Sequence, residues 1–322
     1  MDALFQISYD LIEWLQTFSP SFDAIIIGIT FLGRFEFYML FIPLIYYTID
    51  RSLGLRILFL VISVNSLGSS FKQLFHQPRP YWMGEVKGIT TEVSYGAPSI
   101  HASNTIALWG YLANQVRKSW MWVVSFVIVI LVALSRLYLG VHYLHDVISG
   151  WILGLIVLFV FIKVEDSFRD WWSKKSFNTQ IAFGFLISLA LILIGVLIKL
   201  FIQGSPDPQE WASYSQEARS VTIYFTLGGV LFGGIAGAVF MFRYAAFEVN
   251  GVWWMKVARF VIGIVGVVII YFGLDVLFAL IAIDESLIGY ILRYIRYGLV
   301  SFWGIFLAPW LFIKIGLAKV SK

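Results

Sequence analysis

The sequence predicts an all-α, polytopic membrane helical bundle of about nine transmembrane helices, with a polar site at the outer membrane face. Three observations predict it. Of the 322 residues, 60% are hydrophobic and 13% charged, where a soluble domain carries about a quarter charged. Apolar stretches near the ~20 residues that cross a bilayer follow in series, near 24–48, 54–75, 99–116, 119–137, 143–164, 178–202, 219–242, 258–282 and 289–313. Three short polar clusters interrupt the series between Lys72 and Asp146.

The remaining composition narrows the classes. Aromatics make up 18%, and Trp120, Trp122, Trp151, Trp171, Trp172, Trp253 and Trp254 sit near segment ends, as in interfacial belts. The absence of cysteine excludes disulfides and thiolate chemistry. The net charge of +4 is not gathered into a basic stripe, so nucleic acid is not a partner.

In chain order, Met1 to Pro20 carries no Lys or Arg and no small-residue cleavage site, unlike a signal peptide. Leu4, Ile7, Leu11, Trp14, Leu15 and Phe18 recur at helical spacing, which reads as an interfacial amphipathic helix over 1–22; a frayed terminus is the alternative. Orientation follows from the Lys and Arg of the connections. Fourteen lie in one set of loops and seven in the other, three of those seven within the polar clusters. The amino terminus and the clusters therefore belong outside (periplasmic or lumenal), and the carboxyl terminus in the cytosol, in a bacterial cytoplasmic membrane.

The first cluster runs from Lys72 to Arg79-Pro80. Arg offers a planar fork to phosphate and Lys a point charge; taken alone, the two also read as cations snorkelling at a membrane edge. The second is Pro98-Ser99-Ile100-His101, opening a span. Free N–H groups at a helix start can take anionic oxygens, Ser99 can add a donor, and His101 can protonate a departing alkoxide; an ordinary N-cap is the plain alternative. The third contains Ser135-Arg136 and His142-x-x-x-Asp146. Four residues apart on a helix, Asp146 can hold one ring nitrogen of His142 and leave the other free to attack. In isolation this pair also reads as a histidine packed at a helix end.

Together the clusters resemble the signature of the type 2 phosphatidic acid phosphatase superfamily: Lys, six residues, Arg-Pro; Pro-Ser-Gly-His; Ser-Arg, five residues, His, three residues, Asp. Every spacing within the motifs is met. The resemblance covers roughly residues 22–165, about half the chain, and Phe75 to Trp82 is similar to the glucose-6-phosphatase and sphingoid-phosphate phosphatase branches. It implies a phosphatase-like core over 23–165, followed by an additional four-span region over 166–322. It implies that His142 is the nucleophile, oriented by Asp146, with His101 as general acid. Lys72, Arg79, Arg136, Ser99 and the backbone N–H near Ile100 would bind the substrate phosphate, without metal or other cofactor. The family glycine is Ile100 here; the N–H survives, but a branched side chain is added.

The function expected is metal-independent hydrolysis of a lipid phosphate monoester or pyrophosphate through a phosphohistidine. Alternatives are a soluble sugar-phosphate phosphatase of glucose-6-phosphatase type, a phosphotransferase to a lipid acceptor, and an inactive lipid-binding scaffold or transporter, whose inverted repeats are not evident. Membrane lipids and a phosphate-ester substrate are the partners implied, and a homo-oligomer is compatible with the sequence. His76 and His145 match no motif position and are expected to pack nearby. Residues 203–218 read as a loop that either caps the site or merely joins spans, the join being favoured. Arg34 and Glu36 are expected to face the helix bundle, and Asp275 to pair with Arg293 or Arg296, in a structural role in preference to headgroup binding.

Overall fold

The computed structural model describes residues 3–321, so Met1, Asp2 and Lys322, which entered the helix and loop readings above, lie outside the described residues. Every regular element described is helical, apart from one isolated bridge between Phe247 and Val320. The helices are α1 (Ala3–Gln16), α2 (Asp23–Thr30), α3 (Phe35–Thr48), α4 (Arg51–Phe75), α5 (Ile100–Val116), α6 (Ser119–Tyr138) and α7 (Leu144–Ser173). They continue with α8 (Phe177–Phe201), α9 (Ala212–Ala218), α10 (Thr222–Tyr244), α11 (Trp253–Ala279), α12 (Leu287–Phe302) and α13 (Ala308–Lys314).

Among the described residues, seven helices are long and apolar enough to cross a membrane, and an eighth span results if α2 and α3 count as one. The chain is a multi-span membrane protein. The expected single span over 24–48 is bent by 56°. A 3-10 turn over Phe31–Gly33 ends at an extended Arg34 (ψ 156°), which breaks the α-helical ladder. This break exposes Arg34 and Glu36 and lets them pair at 2.9 Å, rather than turning them into the bundle. α5 has only 17 residues, and Ser103, Asn104 and Thr105 dilute its apolar character.

The chain forms two compact units. The first is drawn from the amino-terminal helices, Ser63–Val164 and Val196–Ser220. Here α1 buries Ile12 among Ala102, Ala133, Leu137 and Val147, and Tyr9 meets the Tyr143 hydroxyl at 2.8 Å. α7 closes on the start of α5 through Gly150, where a Cβ would stand 2.5 Å from the Ser99 carbonyl oxygen. Residues 203–218 are more than a join. Trp211 and Tyr214 lie against Trp82 and Tyr95, and Asp207 accepts from the Tyr95 hydroxyl at 2.8 Å and from Arg219 Nε at 2.5 Å. Burial opposes the Asp207 charge, but the bonds from Arg219, Ser215 and Tyr95 outweigh it and hold the carboxyl below its usual range.

The second unit comprises Met39–Ile62, Glu165–Gly195 and the chain from Val221 onward. α10 and α12 run in close contact, with Gly229 facing the Tyr294 carbonyl, a small-residue approach typical of membrane helices. A π-helical turn over Trp303–Leu307 leaves carbonyls out of the regular ladder. Two of them accept the buried Tyr46 and Tyr47 hydroxyls, Ile305 at 2.8 Å and Gly304 at 2.6 Å.

Candidate active site

Every predicted site residue falls in the first unit. Lys72 stands in the last turn of α4, buried, with its ammonium donating to the carbonyls of Tyr95 and Gly96, the latter at 2.8 Å. Arg79 is extended (ψ 157°), as a residue before proline must be, and this projects its side chain away from the helix. The guanidinium is held by Ser94 O at 2.6 Å, Ser94 Oγ at 3.0 Å and Val141 O at 2.8 Å. So anchored, its Nη1 stands 3.3 Å from His142 Nε2.

His142 follows a tight turn at Gly140, whose φ of 69° suits glycine. Its Nδ1 lies 3.2 Å from Asp146 Oδ2, and the same oxygen accepts the Tyr143 N–H at 2.9 Å. A carboxylate so fixed sets the tautomer: Nδ1 carries the proton and Nε2 the lone pair. Burial first, then the cations Arg79, Lys72 and Arg136, hold the His142 imidazole well below its ordinary range. It is kept neutral.

Ser99 precedes α5 but does not use its hydroxyl as a cap; its N–H donates instead to the Asp146 carbonyl at 2.9 Å. The Ile100 side chain lies over Gly68 of α4, where a Cβ would come within 2.9 Å of Ile100 Cγ1. The bulk added at the family glycine is thus taken up by a glycine on the facing helix. His101 is accommodated in the same way, for a Cβ on Gly33 would stand 2.7 Å from His101 Cδ2. Arg136 ends α6, buried, and gives Nη1 to Thr30 Oγ1 at 2.7 Å and Nη2 to the Glu92 carboxylate.

Four buried polar atoms of these motifs have no hydrogen-bond partner: Ser99 Oγ, His101 Nε2, Arg136 Nε and the acceptor Asp146 Oδ1. Such atoms are rare in folded proteins. Ser99 Oγ and Arg136 Nε are donors and His101 Nε2 can be one, which is the chemistry an oxyanion requires of its partners. His76 and His145 pack beside the site, His76 edge-on to Tyr95 and His145 stacked on Tyr143, with its Nε2 3.5 Å from Asp146 Oδ1. Among the described residues, no group of three or more His, Asp or Glu side chains is arranged to hold a metal ion.

Sequence reasoning missed Glu92. It is one of two carboxylates between the first and second clusters, and its backbone is held on both sides by the Tyr81 hydroxyl at 3.0 Å. Burial works against its charge, yet Arg136, Arg79 and His101 pull its carboxyl far below the ordinary range. An acidic residue in a loop that joins two basic motifs was the available signal. Thr30, Gly33 and Gly68 left none.

These features define a class: a multi-span helical membrane protein that carries a buried imidazole–carboxylate pair ringed by cations and unpartnered donors. A family model described as the PAP2 superfamily matches residues 53–170. A second, described as the transmembrane extension of PAP2 superfamily phosphatases, matches 225–320. The chain belongs to the PAP2 superfamily.

Among its relatives, lipid phosphate phosphatase delta of Arabidopsis thaliana is 29% identical over 182 residues, 50% of this chain and 44% of that protein. Sphingosine-1-phosphate phosphatase 1 of Rattus norvegicus is 28% identical over 172 residues, 51% of this chain and 39% of that protein. Undecaprenyl-diphosphatase of Sulfolobus acidocaldarius is 29% identical over 147 residues, 42% of this chain and 69% of that protein. The chain thus spans less than half the length of the first two relatives.

Proposed function

We propose that the chain hydrolyses a phosphate monoester or pyrophosphate carried on a lipid, through a covalent phosphohistidine on His142. The observation that carries this reading is a neutral, Asp146-oriented imidazole whose Nε2 faces Arg79, in a site where Ser99, His101 and Arg136 keep donors in reserve. In the first step the Nε2 lone pair attacks phosphorus and the bond to the leaving oxygen breaks. His101, protonated once the anionic substrate is bound, gives its proton to that oxygen. In the second step water attacks phosphorus and the P–N bond breaks. His101 takes the water proton, and inorganic phosphate leaves.

Arg79, Arg136, Ser99 and the N–H of Ile100 stabilise the charge on the equatorial oxygens, and Lys72 adds its field from behind the Tyr95–Gly96 carbonyls. Each direct donor is worth about 2.7–4 kcal/mol of barrier, by analogy with oxyanion holes. Glu92 occupies the Arg136 fork with a carboxylate and gives way when a phosphoryl group brings its own negative oxygens. Two features support a lipid. α4 exposes Leu67, Phe71 and Phe75 beside the Lys72 turn, an apolar flank for an acyl or prenyl tail. The relatives above are named for lipid phosphates or a polyprenyl diphosphate. The distribution of Lys and Arg supports an outward-facing site.

The test is a phosphate-release screen of the purified chain, in chelator, across lipid monophosphates, a polyprenyl pyrophosphate and sugar phosphates. Lipid substrates are expected to turn over fastest, and His142→Ala to lose at least about 10³-fold in kcat, as removal of a nucleophile does. An acid-labile, base-stable phosphoryl label should be trapped on wild type alone. Equal turnover by the two proteins would remove the nucleophile assignment, and faster turnover of sugar phosphates would remove the lipid.

A further inference from the structure

The second unit holds a cavity of about 310 Å³, lined by the end of α11, the connection 280–286 and the first half of α12. None of its residues belongs to the site described above. Its chemistry is divided. Phe278, Ile283 and Leu292 make an apolar wall, while Asp275, Asp284, Arg293 and Arg296 supply two charges of each sign.

The charges are ordered by depth. Arg296 is buried and ion-paired with Asp275, and it rests between the rings of Tyr271 and Tyr297, 5.2 and 5.3 Å from their centroids. Arg293 meets Asp284 at 3.1 Å. The guanidiniums lie inside, with side chains 5% and 16% exposed, and the carboxylates at the rim, 48% and 70% exposed. Both arginines keep a buried Nε without a hydrogen-bond partner.

An ion pair that merely clamps two helices needs one charge of each sign and close packing. It does not need a second pair, open volume beside both, or two N–H groups left over. A buried donor without a partner costs about 1–3 kcal/mol, and both of these donors belong to arginines that line the cavity. The four charges sum to zero, which decides the ligand's character. A bare anion would meet the two carboxylates, and a bare cation the two arginines. A zwitterion satisfies both, with its negative end inside and its positive end at the rim. The cavity also sits where the apolar run of α11 gives way to Asp284-Glu285-Ser286, the place along a spanning helix where headgroups lie.

We propose that this cavity binds a zwitterionic phospholipid with an aminoalkyl phosphodiester headgroup. The phosphate accepts from Arg293 and Arg296, the ammonium faces Asp275 and Asp284, and the glycerol end runs along Phe278, Ile283 and Leu292. The site is independent of the catalytic reading of the first unit.

The experiment places the full chain in nanodiscs of equal phosphatidylethanolamine and phosphatidylglycerol and measures by native mass spectrometry the lipid it retains on release. Wild type is expected to keep the ethanolamine lipid at least fivefold over the glycerol lipid. The double variant Asp275→Arg with Arg296→Asp keeps an ion pair but inverts the order of charge, so it should lose that selection while melting near the wild-type temperature. If the swapped protein does not fold, Asp284→Asn at the rim serves instead, with selection expected to drop at least twofold. Glycerophosphoethanolamine, the same headgroup without acyl chains, should be retained at least tenfold more weakly than the lipid. Equal retention of the two lipids by wild type, unchanged selection in a folded variant, or headgroup retention as strong as that of the lipid would overturn the proposal.

Discussion

Arg136 in the first unit and Arg259 in the second are buried to the same degree, 2% and 1% exposed, yet they are occupied differently. Arg259 gives Nε to Leu317 O at 2.8 Å, Nη1 to Val249 O at 2.7 Å and Nη2 to Asn250 O at 2.9 Å. All three nitrogens end on backbone carbonyls, which ties the loop before α11 to the chain after α13. Arg136 reaches one hydroxyl and one carboxylate and keeps its Nε free of any partner. Burial of a cation therefore does not separate the two arginines; the unspent Nε of Arg136 does. The neighbouring charge differs in kind as well, since a carboxylate can be displaced by another anion and a backbone carbonyl cannot.

The strongest way to break this contrast is to remove each arginine. Arg259→Ala orphans several buried carbonyls, each worth about 1–3 kcal/mol, and is expected to lower stability by at least about 3 kcal/mol while leaving turnover per folded molecule near wild type. Arg136→Ala should do the reverse, losing roughly 10²–10³-fold in kcat with a small change in melting temperature. Melting curves and turnover of the folded fraction read both. Losses of the same kind in the two proteins would erase the distinction.

A milder version uses the glycines. Gly150→Ala drives a Cβ to 2.5 Å from the Ser99 carbonyl and Gly229→Ala to 2.4 Å from that of Tyr294. Both must shift a helix, but only the first moves a residue of the site. About a tenfold loss of kcat is expected for Gly150→Ala in its folded fraction, and none for Gly229→Ala. An unimpaired Gly150→Ala enzyme would show that the Ser99 position is not critical.

The smallest effects concern charge and pH. Because His142 is held below its ordinary pKa of ~6.5, its neutral form persists as pH falls through that value, and with His142 as the proposed nucleophile the acid limb of kcat/KM should lie lower. The same shift means that the unfolded chain binds more protons than the folded one just below pH ~6.5, so stability should decline as pH falls through that region. Glu92 has the opposite identity and the same sign: with its carboxyl pulled down, it stays ionised through the usual carboxylate range and competes with oxyanions at every neutral pH. Glu92→Gln should therefore tighten inhibition by vanadate about threefold to tenfold. Weaker inhibition would mean that Glu92 positions Arg136 for phosphate instead of yielding to it.

The motifs were legible because their geometry is local. The proline after Arg79 and the opening of α5 at Ile100 follow from rules that act within a turn or two of chain; the His142–Asp146 contact forms as expected, but from a residue just before α7 and not along one helix face. Ile100 itself was not legible in its consequence, since its side chain is received by Gly68, a partner on another helix. Glu92 was invisible for the same reason, lying 44 residues from Arg136. The reading of Arg34 and Glu36 as bundle-facing failed because an apolar run does not announce where its helix will break. The pairing of Asp275 with Arg296 was foreseen, since intramembrane charges seek partners; the cavity beside it was not.

By itself the sequence determined that this protein is a multi-span helical membrane protein and which short segments match the superfamily's motifs, because hydropathy and motif spacing are properties of neighbouring residues. Only the tertiary structure decided that residues 203–218 fold onto Trp82 and Tyr95, that a carboxylate sits in the fork of Arg136, and which donors remain unspent. Those outcomes depend on which distant surfaces meet and how closely two backbones can approach, and that is settled by packing in three dimensions.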